Sequence, residues 1–316
     1  MNRIPHIFHA IGLLLVSTLF LSCHNEDMAS NCFRDIRIYF TYSPLSMNPA
    51  DVDRMHLYFF NQEGYYVGEC SDNNIVRFST EYYIEYFGLK PGNYRFIAWG
   101  GKDERFYTVT PAPFVKGKTT FGEAMLMLEH PGNKITTPIR HLFHSNIYAT
   151  VTYDQKQHFT MPLTQLSNTI NISTVGLPSD ENSYVFDIKD NNCTYTFNGS
   201  FEPNAHSIFS YTAPCTKDEA GQLHSSLNVL HLAANRRIPQ LQIYNQTATK
   251  ALYPANNQQS GDLIELILSA YKQNDFDTTH TYDIVLTFTG DETTGFDVTV
   301  TINGWKVQQQ EDDLFS

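Results

Sequence analysis

The chain has 316 residues, with 33 acidic against 21 basic side chains and a net charge of −12. An acidic protein without a cluster of Lys and Arg is repelled by phosphate backbones, which excludes nucleic-acid binding. The length suffices to bury a core without help from disulfides or metals. The 19 Tyr and 22 Phe, against 2 Trp, favour β-structure because these rings suit half-buried pleated surfaces.

The chain begins with a predicted signal peptide, residues 1–22. Residues 10–21 are nearly all apolar, and the small Ser22 follows them. This order is typical of a cleaved secretory leader, and the apolar run is too short to span a membrane comfortably.

Cys23 comes directly after the leader, an arrangement that resembles the lipobox of bacterial lipoproteins. We therefore expect lipidation of Cys23 and a lipidated linker over residues 23–31; the alternative is an ordinary leader followed by a coincidental cysteine. Glu26 and Asp27 resemble the acidic signal that sends lipoproteins to the outer face of the outer membrane. The alternative is an anchor that faces the periplasm. We predict a surface-exposed protein held to the outer membrane by lipid.

Strand patterns dominate the first half of the body, residues 32–159. Apolar and wetter residues alternate over 36–42, 55–59 and 94–99, which predicts strands with one buried face. Turn sequences at 61–64 and 90–93, each containing Gly, separate these strands. The first half is therefore predicted to be a β-sandwich domain.

The second half, residues 160–316, repeats the same style. Strands are predicted around 163–172, 184–188, 195–197, 282–288 and 296–302. Short helices are predicted over 120–129 and 262–272, the second capped by Asp262. The polar residues 154–157 indicate a boundary near residue 160. The fold class is all-β, with two tandem β-sandwich domains and one or two short helices.

Four further cysteines, Cys32, Cys70, Cys193 and Cys215, are candidates for disulfides in an exported protein. Four cysteines allow three connectivities, and pairing within each half, Cys32 with Cys70 and Cys193 with Cys215, is the simplest. Unpaired buried thiols are an equal alternative, because the spacings match no metal or redox motif.

No catalytic or cofactor motif is apparent, and we expect no enzymatic activity, cofactor or metal. His141 and His144 are three residues apart, but their surroundings indicate strand and turn, and no carboxylate joins them. The acidic groups at 51–53 and 311–313 lack the Gly and terminal Glu of a calcium loop.

Several segments together resemble the FimB/Mfa-type fimbrillin-accessory family, the lipoprotein anchors of fimbriae in Gram-negative anaerobes. They are the leader ending in Cys23, MHLYFFNQEGYYVGE, GLKPGNYRFIAWGG, LTQLSNTINISTVGLP and the terminal FDVTVTINGWKV. The resemblance covers roughly residues 20–307. It implies two transthyretin-like β-sandwiches, no catalysis, and a protein at the base of a fimbria.

The resemblance also implies a partner, the first fimbrial shaft subunit, contacted by strand addition. Residues 308–316 lack an alternating apolar pattern and make a poor donor strand, so we expect a terminal role and a first strand that is retained. Arg34 and Arg37 could mark cleavage points, although solvent-facing charges on a strand are the preferred interpretation. We expect no small-molecule substrate. The alternative function is a surface glycan-binding lipoprotein of a nutrient-uptake system, for which Trp99 and Trp305 offer weak support.

Overall fold

The computed structural model describes residues 35–43, 47–153, 156–177, 184–202, 208–213, 215–245, 251–254, 260–291 and 295–307. The fold is all-β, as predicted. The strands up to the middle of the chain are β1 (Asp35–Thr41), β2 (Met55–Asn61), β3 (Tyr66–Asp72), β4 (Tyr83–Phe87), β5 (Gly92–Gly100), β6 (Tyr107–Thr110), β7 (Met125–Leu128), β8 (Lys134–Ile135), β9 (Phe143–Val151), β10 (Lys156–Pro162) and β11 (Thr164–Gln165).

The remaining elements are again strands, with one α-helix among the described residues. They are β12 (Ser167–Val175), β13 (Tyr184–Asp190), β14 (Thr194–Thr196), β15 (Phe209–Ala213), β16 (Thr216–Lys217), β17 (Leu223–Leu230), β18 (Gln240–Asn245), β19 (Ala251–Tyr253), α1 (Leu263–Ala270), β20 (Thr281–Asp291), β21 (Gly295–Ile302) and β22 (Trp305–Lys306). Short 3-10 turns occupy Pro49–Asp51 and Pro131–Asn133.

The first sandwich packs a three-stranded sheet against a five-stranded one. The small sheet has the order β10-β1-β4, and the larger one has the order β11-β9-β5-β2-β3. Ile36, Ile38 and Phe40 of β1 are fully buried between them, together with Leu57 and Phe59 of β2. The alternation predicted for β1 is confirmed, whereas the wetter face predicted for β2 is wrong, because His56 and Tyr58 are buried as well.

The second body is built mainly from two larger sheets. One has the order β16-β17-β12-β20-β21-β22, and the other has the order β19-β18-β13-β15-β8. A third, three-stranded sheet has the order β14-β7-β6. Buried residues of β12, β13, β17, β18 and β20 pack together with the helix α1.

The five-stranded sheet of the first sandwich is buried on both faces. Tyr58, Phe60, Ile97 and Trp99 point away from the first core and join the same apolar cluster as the second body. In addition, β7 pairs with β14, and β8 pairs with β15, so strands from the first half of the chain complete sheets of the second. The two halves therefore share a continuous core.

The predicted boundary between residues 159 and 160 lies inside a strand. Lys156 to Pro162 form β10, which pairs along its whole length with β1. The polar residues that indicated a linker include the start of this strand, because an edge strand with one solvent-facing side also carries polar residues. The first sheet thus continues to residue 162.

One of the two predicted helices is present. The helix α1 begins after Asp262, whose side chain accepts a hydrogen bond from the Glu265 amide, as predicted. The other prediction, over residues 120–129, is wrong: Met125–Leu128 form β7, which is held between β6 and β14. No helix within the described ranges is long and apolar enough to cross a membrane.

Candidate functional site

Several residues singled out from the sequence lie outside the described residues. They are the signal peptide, Cys23, the linker, Cys32, Arg34 and the terminal segment 308–316. Lipidation and retention of the N-terminal segment therefore stay predictions.

Two of the candidate disulfide cysteines are free thiols. Cys193 is buried and Cys70 is partly buried, and neither forms a disulfide in the structure. Burial raises the pKa of the Cys70 thiol to about 12, which keeps it protonated and unreactive. The expected pairing of Cys193 with Cys215 is not formed, and the alternative of an unpaired buried thiol holds for Cys193.

The strand β1 is the middle strand of its sheet. It runs parallel to β10 from the pair Asp35–Lys156 to the pair Thr41–Pro162, and it runs antiparallel to β4. Arg37 lies on its outer face and donates from Nε to Oε1 of Glu85 at 2.7 Å. Arg37 is therefore a surface charge paired across the sheet, which agrees with the preferred interpretation of a solvent-facing charge on a strand.

The two edges of this sheet differ in chemistry. The edge strand β10 carries Lys156 at its start and Pro162 at its end, two residues that discourage pairing with a further strand. The other edge strand, β4, has the sequence YIEYF without Lys, Pro or Gly. Tyr83 and Phe87 at its two ends are 39% and 59% exposed.

Across the sheet, the two edges can be compared position by position. Asp35 of β1 has Lys156 on one side and Phe87 on the other, and Tyr39 has Thr160 on one side and Tyr83 on the other. The rings of Tyr39 and Tyr83 lie 5.3 Å apart and extend the aromatic surface onto the middle strand. At these two positions the β4 edge is aromatic where the β10 edge is charged or polar, although β4 carries Glu85 at its centre. We regard the β4 edge as the candidate site for strand addition.

A large cleft of about 660 Å³, with a mixed polar and apolar lining, lies beside the start of the second body. His141, Gln165 and His280 line it, together with Asp51 and Thr279. Burial lowers the pKa of His280 to about 4 and also lowers the pKa of His141. Both imidazoles are therefore neutral at pH 7.

The two candidate histidines do not form a metal site. His141 lies 3.0 Å from the Ser167 hydroxyl through Nδ1, whereas Nε2 of His144 lies 3.1 Å from the Phe197 carbonyl oxygen. His144 also packs against Trp99, with ring centroids 4.5 Å apart. In the part of the chain that the structure describes, no group of three or more His, Cys, Asp or Glu could hold a metal ion.

The two tryptophans do not form a common platform. Trp99 is fully buried, whereas Trp305 is 62% exposed. Trp99 therefore has no ring face available for stacking against a glycan, and this part of the alternative function loses its support.

Sequence reasoning missed the β4 edge. The signal was present in Tyr82-Tyr83-Ile84-Glu85-Tyr86-Phe87, a run of strand-forming aromatic residues with one charge. The position of β4 at an edge depends on how β1 pairs with strands about 50 and about 120 residues away, which no local pattern reveals.

Comparison with known proteins places the chain in a family. The family model of the Fimbrillin-A associated anchor proteins Mfa1 and Mfa2 matches residues 28–311. The chain belongs to this family. Membership of the Fimbrillin-A associated anchor family gives the protein a fimbrial role at the cell surface or envelope, in a family of structural proteins.

Solved structures share the fold of this anchor-family protein. The fimbrial anchor protein Mfa2 from Porphyromonas gingivalis superposes with a TM-score of 0.70 at 19% identity, covering 88% of this chain and 100% of that one. A Bacteroides thetaiotaomicron protein named as a candidate polysaccharide-binding protein superposes with a TM-score of 0.72 at 19% identity. The match covers 88% of this chain and 99% of that one.

A Bacteroides ovatus protein named as a candidate adhesin gives a TM-score of 0.67 at 16% identity, over 87% and 94% of the two chains. No curated protein matches the sequence. The predicted family and the predicted all-β architecture of tandem sandwiches are thereby confirmed.

Proposed function

We propose that this protein anchors a fimbria to the outer membrane, with a lipid on Cys23 at one end and the first shaft subunit paired with β4 at the other. The observation that carries the proposal is the edge strand β4, which has no Lys, Pro or Gly and has exposed aromatic residues at both ends, in a protein of the fimbrial anchor family. An incoming strand gains main-chain hydrogen bonds along such an edge and side-chain contacts with every second residue.

The burial of β1 supports its retention in the mature protein. Its three apolar side chains are fully buried, and it pairs on both sides. Removing it would leave two separated edge strands and expose the core face of the larger sheet. Because Cys23 precedes β1 in the chain, a cut at Arg37 would also separate the body from the lipid.

A terminal position in the fibre follows from the same features. The sheet offers one acceptor edge at β4, and residues 308–316 lack the alternation of a donor strand. We propose that the subunit accepts a strand at β4 and that residues 308–316 do not act as a donor strand, as suits a terminal subunit.

The proposal is tested by placing lysine on the β4 edge. In Phe87→Lys and Tyr83→Lys, a charged side chain reproduces the chemistry of the β10 edge, and we expect cells to shed fimbriae into the medium, as counted by electron microscopy. Phe87 is 59% exposed, so Phe87→Lys should retain the wild-type melting temperature. Tyr83 contacts the Tyr39 ring and the Arg37 guanidinium, so Tyr83→Lys should lower the melting temperature slightly.

Two controls frame this experiment. Thr160→Lys places the same charge at the matching position of the β10 edge and should leave attachment intact. Cys23→Ser removes the proposed lipid and should release the protein together with the fibre. Firm attachment in the Phe87→Lys, Tyr83→Lys double variant would contradict pairing at β4, and retention of Cys23→Ser in the membrane fraction would contradict the lipid anchor.

A further inference from the structure

The first sandwich has one end at which β1 begins. Asp35, the first residue of β1, pairs with Lys156, the first residue of β10. Gly92, the first residue of β5, pairs with Val151, the last residue of β9, and β10 begins five residues later. The strand β2 runs antiparallel to β5, so it also ends here and is followed by the turn to β3. We call this end of the sandwich the β1 end.

The β1 end carries most of the exposed aromatic side chains. Tyr65 follows the turn after β2, Tyr148 lies three residues before the end of β9, and Tyr153 lies two residues after it. They are 41%, 78% and 72% exposed. With Phe87, which pairs with the first residue of β1 and belongs to the β4 edge, they make four of the six exposed aromatic side chains among the described residues. Exposed rings scattered singly need no explanation, but four at one end indicate a surface with a partner.

The three tyrosine rings suit the surface of a membrane. Each has an apolar body and a hydroxyl group, and side chains of this kind concentrate where lipid headgroups meet water. The guanidinium carbon of Arg95 covers one face of the Tyr148 ring, 4.5 Å from its centroid, and the other face is open. The open face can therefore enter a headgroup layer without breaking the contact with Arg95.

The position of Cys23 links this end of the body to the membrane. Cys23 lies twelve residues before Asp35, and a chain of this length spans at most about 40 Å when fully extended. In the proposed arrangement, every other part of the body is connected to the membrane only through β1. Because the lipid already holds the body at the surface, a contact by a few rings forms at a high effective concentration of lipid.

We infer that the β1 end rests on the outer face of the membrane, with the rings of Tyr65, Tyr148 and Tyr153 among the lipid headgroups. The inference rests on the lipid anchor proposed for Cys23 and adds an orientation to it. Attachment at one point alone lets a body turn in any direction, whereas three further contacts hold the β1 end against the surface.

Quenching of tryptophan fluorescence by brominated lipids tests the contact. The full lipidated chain is placed in phosphatidylcholine vesicles, with or without bromine on the acyl chains close to the headgroups. Wild-type fluorescence comes from the buried Trp99 and from the exposed Trp305 of the second body, and we expect bromine to leave it unchanged. In Tyr153→Trp, we expect the added fluorescence to be lost in the brominated vesicles.

Further variants separate the contact from the effect of the tether. Ile208→Trp places a ring directly before β15 of the second body, at a site that is 61% exposed, and its fluorescence should resist bromine. Adding Tyr65→Ser and Tyr148→Ser to Tyr153→Trp should restore the fluorescence, because the β1 end loses two of its three contacts. Adding Val76→Ser instead, which removes an exposed side chain between β3 and β4, should leave the quenching unchanged.

The outcomes distinguish the contact from the anchor on which it rests. Equal fluorescence of Tyr153→Trp in both kinds of vesicle, while the protein sediments with them, would overturn the contact with lipid and leave a neighbouring protein as the partner of these rings. Failure of the wild type to sediment with the vesicles would overturn the lipid anchor and the inference with it. Unchanged quenching after the loss of Tyr65 and Tyr148 would show that the tether alone brings this end to the lipid, and would overturn the role of the rings.

Discussion

Arg236 and Asp190 form an ion pair that is almost withdrawn from water. Nη2 of Arg236 lies 2.7 Å from Oδ1 of Asp190, and the two side chains are 9% and 1% exposed. The guanidinium also contacts the ring of Phe201 at 4.3 Å and donates to Oδ1 of Asn191. A buried charge that loses its partner keeps its desolvation penalty without the compensating attraction.

We predict that Arg236→Met lowers the free energy of unfolding by about 3–5 kcal/mol, because it leaves the Asp190 carboxylate buried and unpaired. The measurement is urea denaturation at pH 7, in which wild type and variant are fitted with the same dependence of the unfolding free energy on urea concentration. Arg37→Met is the matched control: its pair with Glu85 has the same 2.7 Å distance but is about one-third exposed, so the loss should be much smaller than in Arg236→Met. Equal losses in the two variants would contradict this account.

At the scale of single elements, the cap of α1 combines two interactions in one side chain. Oδ1 of Asp262 accepts from the Glu265 amide at 2.9 Å, and Oδ2 pairs with Nε of Arg237 at 2.6 Å. The first interaction satisfies an N–H group that the helix cannot pair itself, and the second is a half-exposed ion pair.

We predict that Asp262→Ala lowers the free energy of unfolding by about 0.5–2 kcal/mol, because it removes the cap. Asp262→Asn keeps the capping oxygen and loses only the ion pair with Arg237, so its free energy of unfolding should fall by less than about 1 kcal/mol. Thermal denaturation of both variants beside the wild type gives the comparison. If Asp262→Asn proved as unstable as Asp262→Ala, the ion pair rather than the cap would hold the start of the helix.

The success of sequence reasoning differs between elements for a physical reason. Residues 36–42 and 296–302 alternate because one face of each strand is buried, so the pattern is visible locally. Residues 55–59 are buried on both faces, and the second buried face has no local signal. Residues 125–128 were mistaken for helix because their apolar side chains follow no clear period. They become a strand through pairing with β14, about 70 residues later in the chain. Distant partners of this kind leave no local mark.

At the scale of the whole molecule, burial of histidines links stability to pH. Burial lowers the pKa of His56, His144 and His280 to about 4, from an ordinary value of 6.5. The unfolded chain then binds more protons than the folded one between these values. Stability is therefore full above about pH 6.5 and is lost as the pH falls towards about 4.

We predict a urea midpoint that decreases steadily from pH 7 to pH 4. Burial raises the pKa of Asp187, which opposes this trend, so single variants isolate each histidine. His280→Gln should show a flatter pH dependence than the wild type, whatever its stability at pH 7. His158→Gln, which removes an exposed histidine, should retain the wild-type slope. Identical slopes in all three proteins would show that acids, not histidines, control the decrease.

The candidate sites also depend on the whole molecule. The signal peptide and the resemblance to the family could be predicted from the sequence, because the leader before Cys23 and the family segments are each contiguous in the chain. The β4 edge and the β1 end could not, since each forms only when strands from distant segments lie side by side. The boundary predicted near residue 160 falls inside β10 for the same reason: the pairing of β10 with β1, about 120 residues earlier, has no local signal.

The position of β1 has a mechanical consequence. In the proposed arrangement, tension from the fibre reaches the membrane through the N-terminal end of this strand. A pull along the axis of β1 loads all of its hydrogen bonds to β10 and β4 at the same time. A pull perpendicular to the strand would break these hydrogen bonds one after another. A central strand attached at its end therefore loads both of its hydrogen-bond ladders together.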